Sequence, residues 1–75
     1  MSFTELINKI AKELNFTIKS FKEGAKYPSV TYETKDKESL IVSFNKKLDK
    51  LYKVSNIYWF SVIRDIVGRY GKSKE

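Results

Sequence analysis

The 75-residue chain contains no cysteine and no histidine. Those two absences exclude a disulfide framework, Cys/His zinc centres, Ser-His-Asp and Cys-His nucleophile systems, and imidazole acid–base chemistry. Glycine is scarce, at Gly24, Gly68 and Gly71 only, so there is no glycine-rich phosphate loop. Long apolar runs are missing too. The stretch from Ile57 through Phe60 to Ile63 is interrupted by Ser61 and ended by Arg64, far short of the ~20 residues that span a bilayer. The opening Met-Ser-Phe-Thr-Glu has neither a basic nor a long apolar region of the kind a signal peptide needs, which leads to the expectation of a cytoplasmic protein. Glu23, Glu33, Asp36, Glu38 and Asp49 are scattered without paired spacing. No enzyme, metal site or cofactor is therefore expected.

What the chain does have is aromatic bulk and lysine. Five Tyr, five Phe and one Trp must hold a small core without any covalent staple. Lys plus Arg is 15 against 9 for Asp plus Glu, a net charge of +6, and only Arg64 and Arg69 are arginines. So cationic a small domain is attracted to polyanions: nucleic acid, anionic lipid or an acidic protein surface. The plain alternative is a lysine-rich surface that only maintains solubility.

The first segment reads as a helix. Ser2 and Glu5 form a capping box, with Met1 and Leu6 at the positions of a hydrophobic staple. Phe3, Leu6, Ile7, Ile10, Ala11 and Leu14 follow the i, i+3, i+4, i+7 spacing of one helix face. Glu5–Lys9 and Lys9–Glu13 are i,i+4 pairs, and Asn15 is a residue that tolerates the left-handed conformation of a helix stop. Three strand-like runs come next. Residues 16–22 alternate Phe16, Ile18 and Ser20 against Thr17, Lys19 and Phe21. Residues 29–34 put Val30 and Tyr32 on one face; residues 39–45 put Leu40, Val42 and Phe44 inward. The charged loop Lys35-Asp36-Lys37-Glu38 joins the last two as an antiparallel hairpin.

Residues 46–53 read as a basic connector or a short helical turn, in which Lys46, Lys50 and Lys53 would share a face. Ser55 or Asn56 can cap a second helix carrying Trp59, Val62, Ile63, Ile66, Val67 and Tyr70 in helical register, with Gly71 as its stop. The rival for residues 57–62 is a further strand, since Ile-Tyr-Trp-Phe is rich in strand formers; six positions in helical register favour the helix. The expected architecture is a single domain over residues 1–71 with a frayed tail at 72–75. It is an α+β, two-layer α-β-β-β-α sandwich, with both helices on one face of a three-stranded antiparallel sheet.

That element order at this length resembles the double-stranded-RNA-binding fold and, within it, small toxins of the HicA type. The likeness covers about Phe3 to Gly71, and is closest in Val62-Ile63-Arg64-Asp65-Ile66-Val67-Gly68. The resemblance implies this fold and a bias toward nucleic acid. It does not extend to the toxin's nuclease activity, whose histidine at the second strand is replaced by Tyr27-Pro28-Ser29. The Lys-Lys pair expected at the start of the last helix is replaced by Ser55-Asn56-Ile57-Tyr58.

Lys46, Lys47, Lys50 and Lys53 fall within eight residues, opposed by Asp49 alone. They are the first candidates for phosphate contact, with Lys9, Lys12 and Arg69 in support. The plain reading of the same lysines is a solvated face. Arg69 has a plain reading of its own, a surface bridge to Asp65. Trp59 belongs to the core stripe, whereas Tyr58 and Phe60 are surplus to it and are candidates for a homodimer or partner contact. Two functions are thus expected: a basic nucleic-acid-binding protein with little sequence preference, or a viral- or plasmid-type inhibitor or accessory protein docking on an acidic partner.

Overall fold

The Ser2–Glu5 box closes the first helix as its sequence predicts. In a computed structural model that describes residues 2–24, 26–48 and 50–70, Ser2 Oγ accepts from the Glu5 N–H at 3.2 Å, and Glu5 Oε1 accepts from the Ser2 N–H at 3.0 Å. Helix α1 runs Phe3–Leu14 and ends on Asn15 in the left-handed region, φ 57°. The staple partner Met1, the stop Gly71 and the tail lie outside the described residues.

The strands are β1 (Thr17–Lys22), β2 (Ser29–Glu33), β3 (Ser39–Phe44) and β4 (Leu51–Val54), followed by helix α2 (Ile57–Tyr70). They form one antiparallel sheet in the order β1-β2-β3-β4. The expectation of three strands is therefore corrected to four. The connector is no helical turn: its first part is a tight turn, and its second part is a strand paired to β3. Leu48, Leu51 and Tyr52 imitate helical spacing, but the backbone partners that decide the matter are Val42, Ser43 and Phe44 on the neighbouring strand. The α+β class stands. Helix, not strand, occupies residues 57–62.

Both later hairpins use the same turn chemistry. The Lys37 N–H donates to the Thr34 carbonyl with Lys37 at φ 63°, and the Leu48 N–H donates to the Asn45 carbonyl with Leu48 at φ 62°. Asn45 Oδ1 also accepts from the Lys47 N–H at 2.9 Å, an Asx turn that starts the reversal. A leucine in the left-handed region is strained. Here the side chain packs against the core, which offsets that cost.

Two bulges set which residues face inward. Register shifts between Ile18 and Ser20 in β1, leaving Lys19 as the extra residue, so that Phe21 pairs with Val30 and turns to the core side. Simple alternation places Phe21 on the opposite face from Ile18; the extra residue reverses that parity. Phe21 rests on Phe3 with ring centroids 5.8 Å apart. A second shift, between Ser43 and Phe44 against Lys53 and Leu51, makes Tyr52 the extra residue of β4.

The core is apolar throughout the described residues: Phe3, Leu6, Ile7 and Ile10 from α1, Val30, Tyr32, Leu40, Val42 and Phe44 from the sheet, Ile63, Ile66 and Val67 from α2, and Phe16 between layers. Tyr32 is its one polar intrusion. The Tyr32 hydroxyl donates to the Ile7 carbonyl at 2.8 Å, which satisfies it, and burial raises its pKa. Ser55 continues the β3–β4 pairing by exchanging hydrogen bonds with Ile41. That leaves Asn56 to cap α2, its Oδ1 accepting from the Tyr58 N–H at 2.9 Å. With both helices packed on one side, the sheet's other face is open.

Candidate nucleic-acid interface

Antiparallel order carries the β1–β2 connection and the β3–β4 turn to the same end of the sheet. The Phe44 N–H donates to the Pro28 carbonyl at 2.8 Å, and Phe3, Glu23, Gly24, Pro28, Lys46 and Leu48 line one depression there. The connections that carry Lys22, Glu23 and Lys26, and Lys46, Lys47 and Lys50, thus lie at one end of the sheet; Lys46 and Glu23 share that depression, whereas Lys50 lines another, with Leu51, Arg64, Val67 and Gly68. Neither Lys22 nor Lys26 stands out in the sequence, because both are far along the chain from the connector.

On the open face the register is more specific. Lys22 pairs with Ser29, Ser29 with Ser43, and Ser43 with Lys53. One row across all four strands is therefore Lys-Ser-Ser-Lys, with ammonium groups at its ends and small hydroxyls between. Beside this row, Tyr27 and Tyr52 stack in parallel across the end of β3, with centroids 3.8 Å apart and planes at 5°. Tyr52 is 52% exposed and Tyr27 is 37% exposed. Lys26 Nζ lies 5.6 Å from the Tyr27 centroid. Ile41, Ser43, Lys53 and Ser55 line a further shallow depression on this face. At its far side Lys19 and Glu33 are 4.0 Å apart, an exposed pair of small energetic consequence.

The remaining candidates lie elsewhere. Lys9 and Arg69 belong to the helical layer, where Lys9 Nζ is 5.4 Å from the Tyr70 centroid and Arg69 bonds Glu13 at 3.2 Å. The partner of Arg69 is thus Glu13 on the other helix, rather than Asp65 on its own. Lys12 is exposed on α1. Lys46 and Lys47 lie on the β3–β4 turn, Lys50 precedes β4 and lines a depression with Arg64, Val67 and Gly68 of α2, and Lys53 is on β4 beside Ile41, Ser43 and Ser55. At the start of α2, Tyr58 is 71% exposed and Ile57 88% exposed. Phe60 is half-buried, and Trp59 packs edge-on to Phe16 with centroids 5.0 Å apart.

Two carboxylates are held below their ordinary range. The Ser2 backbone N–H, and then its hydroxyl, lower Glu5; the Tyr70 hydroxyl, and then Arg69, lower Glu13. Tyr70 is raised in turn, by its bond to Glu13. A depressed carboxylate contributes stability that is present above its unfolded pKa, near 4.5, and that is lost as pH falls through the folded value. The melting temperature should therefore drop as pH falls below the unfolded value. A melting series should show a shallower drop for Glu13→Gln; an identical drop would mean that Glu13 carries none of the effect.

Among the described residues, no cluster of acidic side chains could hold a metal ion, and no helix is long and apolar enough to cross a membrane. The chain matches no protein-family model, no curated protein and no solved structure.

Proposed function

We propose that this chain is a small nucleic-acid-binding protein that grips the phosphate backbone with little sequence preference, through Lys46, Lys47, Lys50 and Lys53 together with Lys22 and Lys26. The observation that carries the reading is the Lys22-Ser29-Ser43-Lys53 row across the open face beside an exposed tyrosine stack that Lys26 adjoins, with the lysine-bearing β3–β4 turn at the same end of the sheet. Lysine acts on phosphate as a point charge and does not read base edges, so such contacts give affinity and position rather than sequence choice.

Salt dependence tests it. Each phosphate contact releases counterions and contributes about 0.7 to 0.9 to the slope of log K against log salt. Changing Lys46, Lys47, Lys50 and Lys53 together to Gln should flatten that slope by roughly 2 to 4 and weaken all sequences about equally. Changing Lys9, Lys12, Lys35 and Lys37 to Gln gives the same net charge and should leave most of the slope intact. Equal losses in the two variants would reduce the binding to a diffuse charge effect and remove the assigned surface.

A second reading, docking on an acidic protein partner, is favoured by the exposure of Ile57 and Tyr58 beside a basic surface. Absorbance at 260 nm that accompanies the purified protein and is removed by salt would favour nucleic acid over it.

A further inference from the structure

We infer that the ligand of this surface is single-stranded nucleic acid, laid across the open sheet face with a base stacked on Tyr52. This rests on the phosphate-binding reading above and adds to it the form of the strand and the residue that holds a base. Three observations carry it. First, the Tyr27–Tyr52 stack is already ordered: with planes at 5° and centroids 3.8 Å apart, the inner face of each ring is covered by the other. The space between the rings is full, so Lys26 sits against the outer face of Tyr27. The outer face of Tyr52 remains for a flat partner, and Tyr52 is 52% exposed. Every base offers such a face, which makes the contact indifferent to sequence.

Second, the stack exists because of the bulge. Tyr52 is the residue of β4 that has no partner in the ladder, and bulges re-aim side chains in this way. Third, the floor beside the stack is low and its charge is placed at the edges. Ser29 and Ser43 lie between Lys22 and Lys53 in one cross-strand row. Strands are about 4.8 Å apart, so three steps put the two ammonium groups far enough apart to contact different phosphates of one strand. A duplex keeps its bases stacked inside and offers none of them to Tyr52; a single strand offers both bases and phosphates. Charge complementarity and the open aromatic face thus select the same ligand.

The test uses the whole chain and fluorescently labelled probes: a single-stranded oligothymidylate of about 12 nucleotides, the same strand made abasic, and a duplex carrying the same number of phosphates. The wild-type chain should bind the base-containing strand at least fivefold more tightly than either of the others. Tyr52→Ala should weaken binding of the base-containing strand by roughly 5- to 150-fold, the value of one base–aromatic stack. It should leave the abasic strand unchanged. Tyr52→Phe should restore the preference. Equal binding of the base-containing and abasic strands by the wild-type chain would overturn the inference without any variant, and would leave the phosphate reading standing. Salt-independent or absent binding of all three probes would instead overturn the phosphate reading itself, and the inference with it.

Discussion

Ile63→Lys should leave the chain unfolded at room temperature. Ile63 on α2 is fully buried; the described core holds no charged side chain, and its one polar group, the Tyr32 hydroxyl, is already bonded to the Ile7 carbonyl. A buried unpaired charge is among the few single changes that cost on the order of 5 kcal/mol or more. A domain of this size has only about 4 to 11 kcal/mol to lose. Ile10→Lys should do the same from the other helix, where Ile10 is also 0% exposed. Lys12→Ala, close by on the exposed side of the same helix, should be silent within about 0.5 kcal/mol. Far-ultraviolet circular dichroism during melting separates the outcomes. A cooperative native transition in Ile63→Lys would mean that α2 does not present this stripe to the sheet.

Phe44→Ala should be nearly as damaging, and it tests the part of the fold that the sequence conceals. Phe44 closes β3, meets Phe3 edge-on with centroids 6.0 Å apart, pairs with Leu51 of β4 and bonds the Pro28 carbonyl through its backbone N–H. Truncating a fully buried phenylalanine costs about 3–5 kcal/mol. In a domain of this length each kcal/mol lowers the melting temperature by about 4–8 °C, so a fall of about 15 °C or more is expected. Ile41→Ala is the control. Ile41 lies on the same strand, but on the open face at 49% exposure, and its truncation should cost about 0.5 kcal/mol or less. If the two variants melt alike, the inward and outward faces of β3 have been assigned to the wrong residues.

Helix α1 was legible because everything that makes it is local. The Ser2–Glu5 box, the spacing of Phe3, Leu6, Ile7 and Ile10, and the Asn15 stop all belong to one short segment. Helix α2 was legible for the same reason, although the choice between Ser55 and Asn56 as its cap was not. Ser55 is taken up by Ile41, fourteen residues away. Strand β4 was concealed because four residues hold too little periodicity of their own, and Leu48, Leu51 and Tyr52 fit helical spacing equally well. The candidate site divides along the same line. Lys46, Lys47, Lys50 and Lys53 were visible as a cluster with Tyr52 beside Lys53 in the chain, whereas the stacking of Tyr27 on Tyr52 and the Lys22–Lys53 row were not.

The sequence by itself determined the helices, the faces of β2 and β3, the hairpin that joins them, the positive charge, and the exclusion of chemistry that needs cysteine or histidine. Those features depend on residue type and on spacings shorter than one element. Only the tertiary structure decided that the sheet has a fourth strand, that Phe21 lies on the helix-bearing side of the sheet against Phe3 while staying 53% exposed, and that Tyr27 stacks on Tyr52. These depend on register between strands, and register is settled by the sum of many distant pairings. One extra residue at Lys19 or Tyr52 reverses the parity of every strand position beyond it, and no local pattern announces it. The two lysine-bearing connections lie at one end of the sheet for a related reason: antiparallel pairing returns the chain to the place it left.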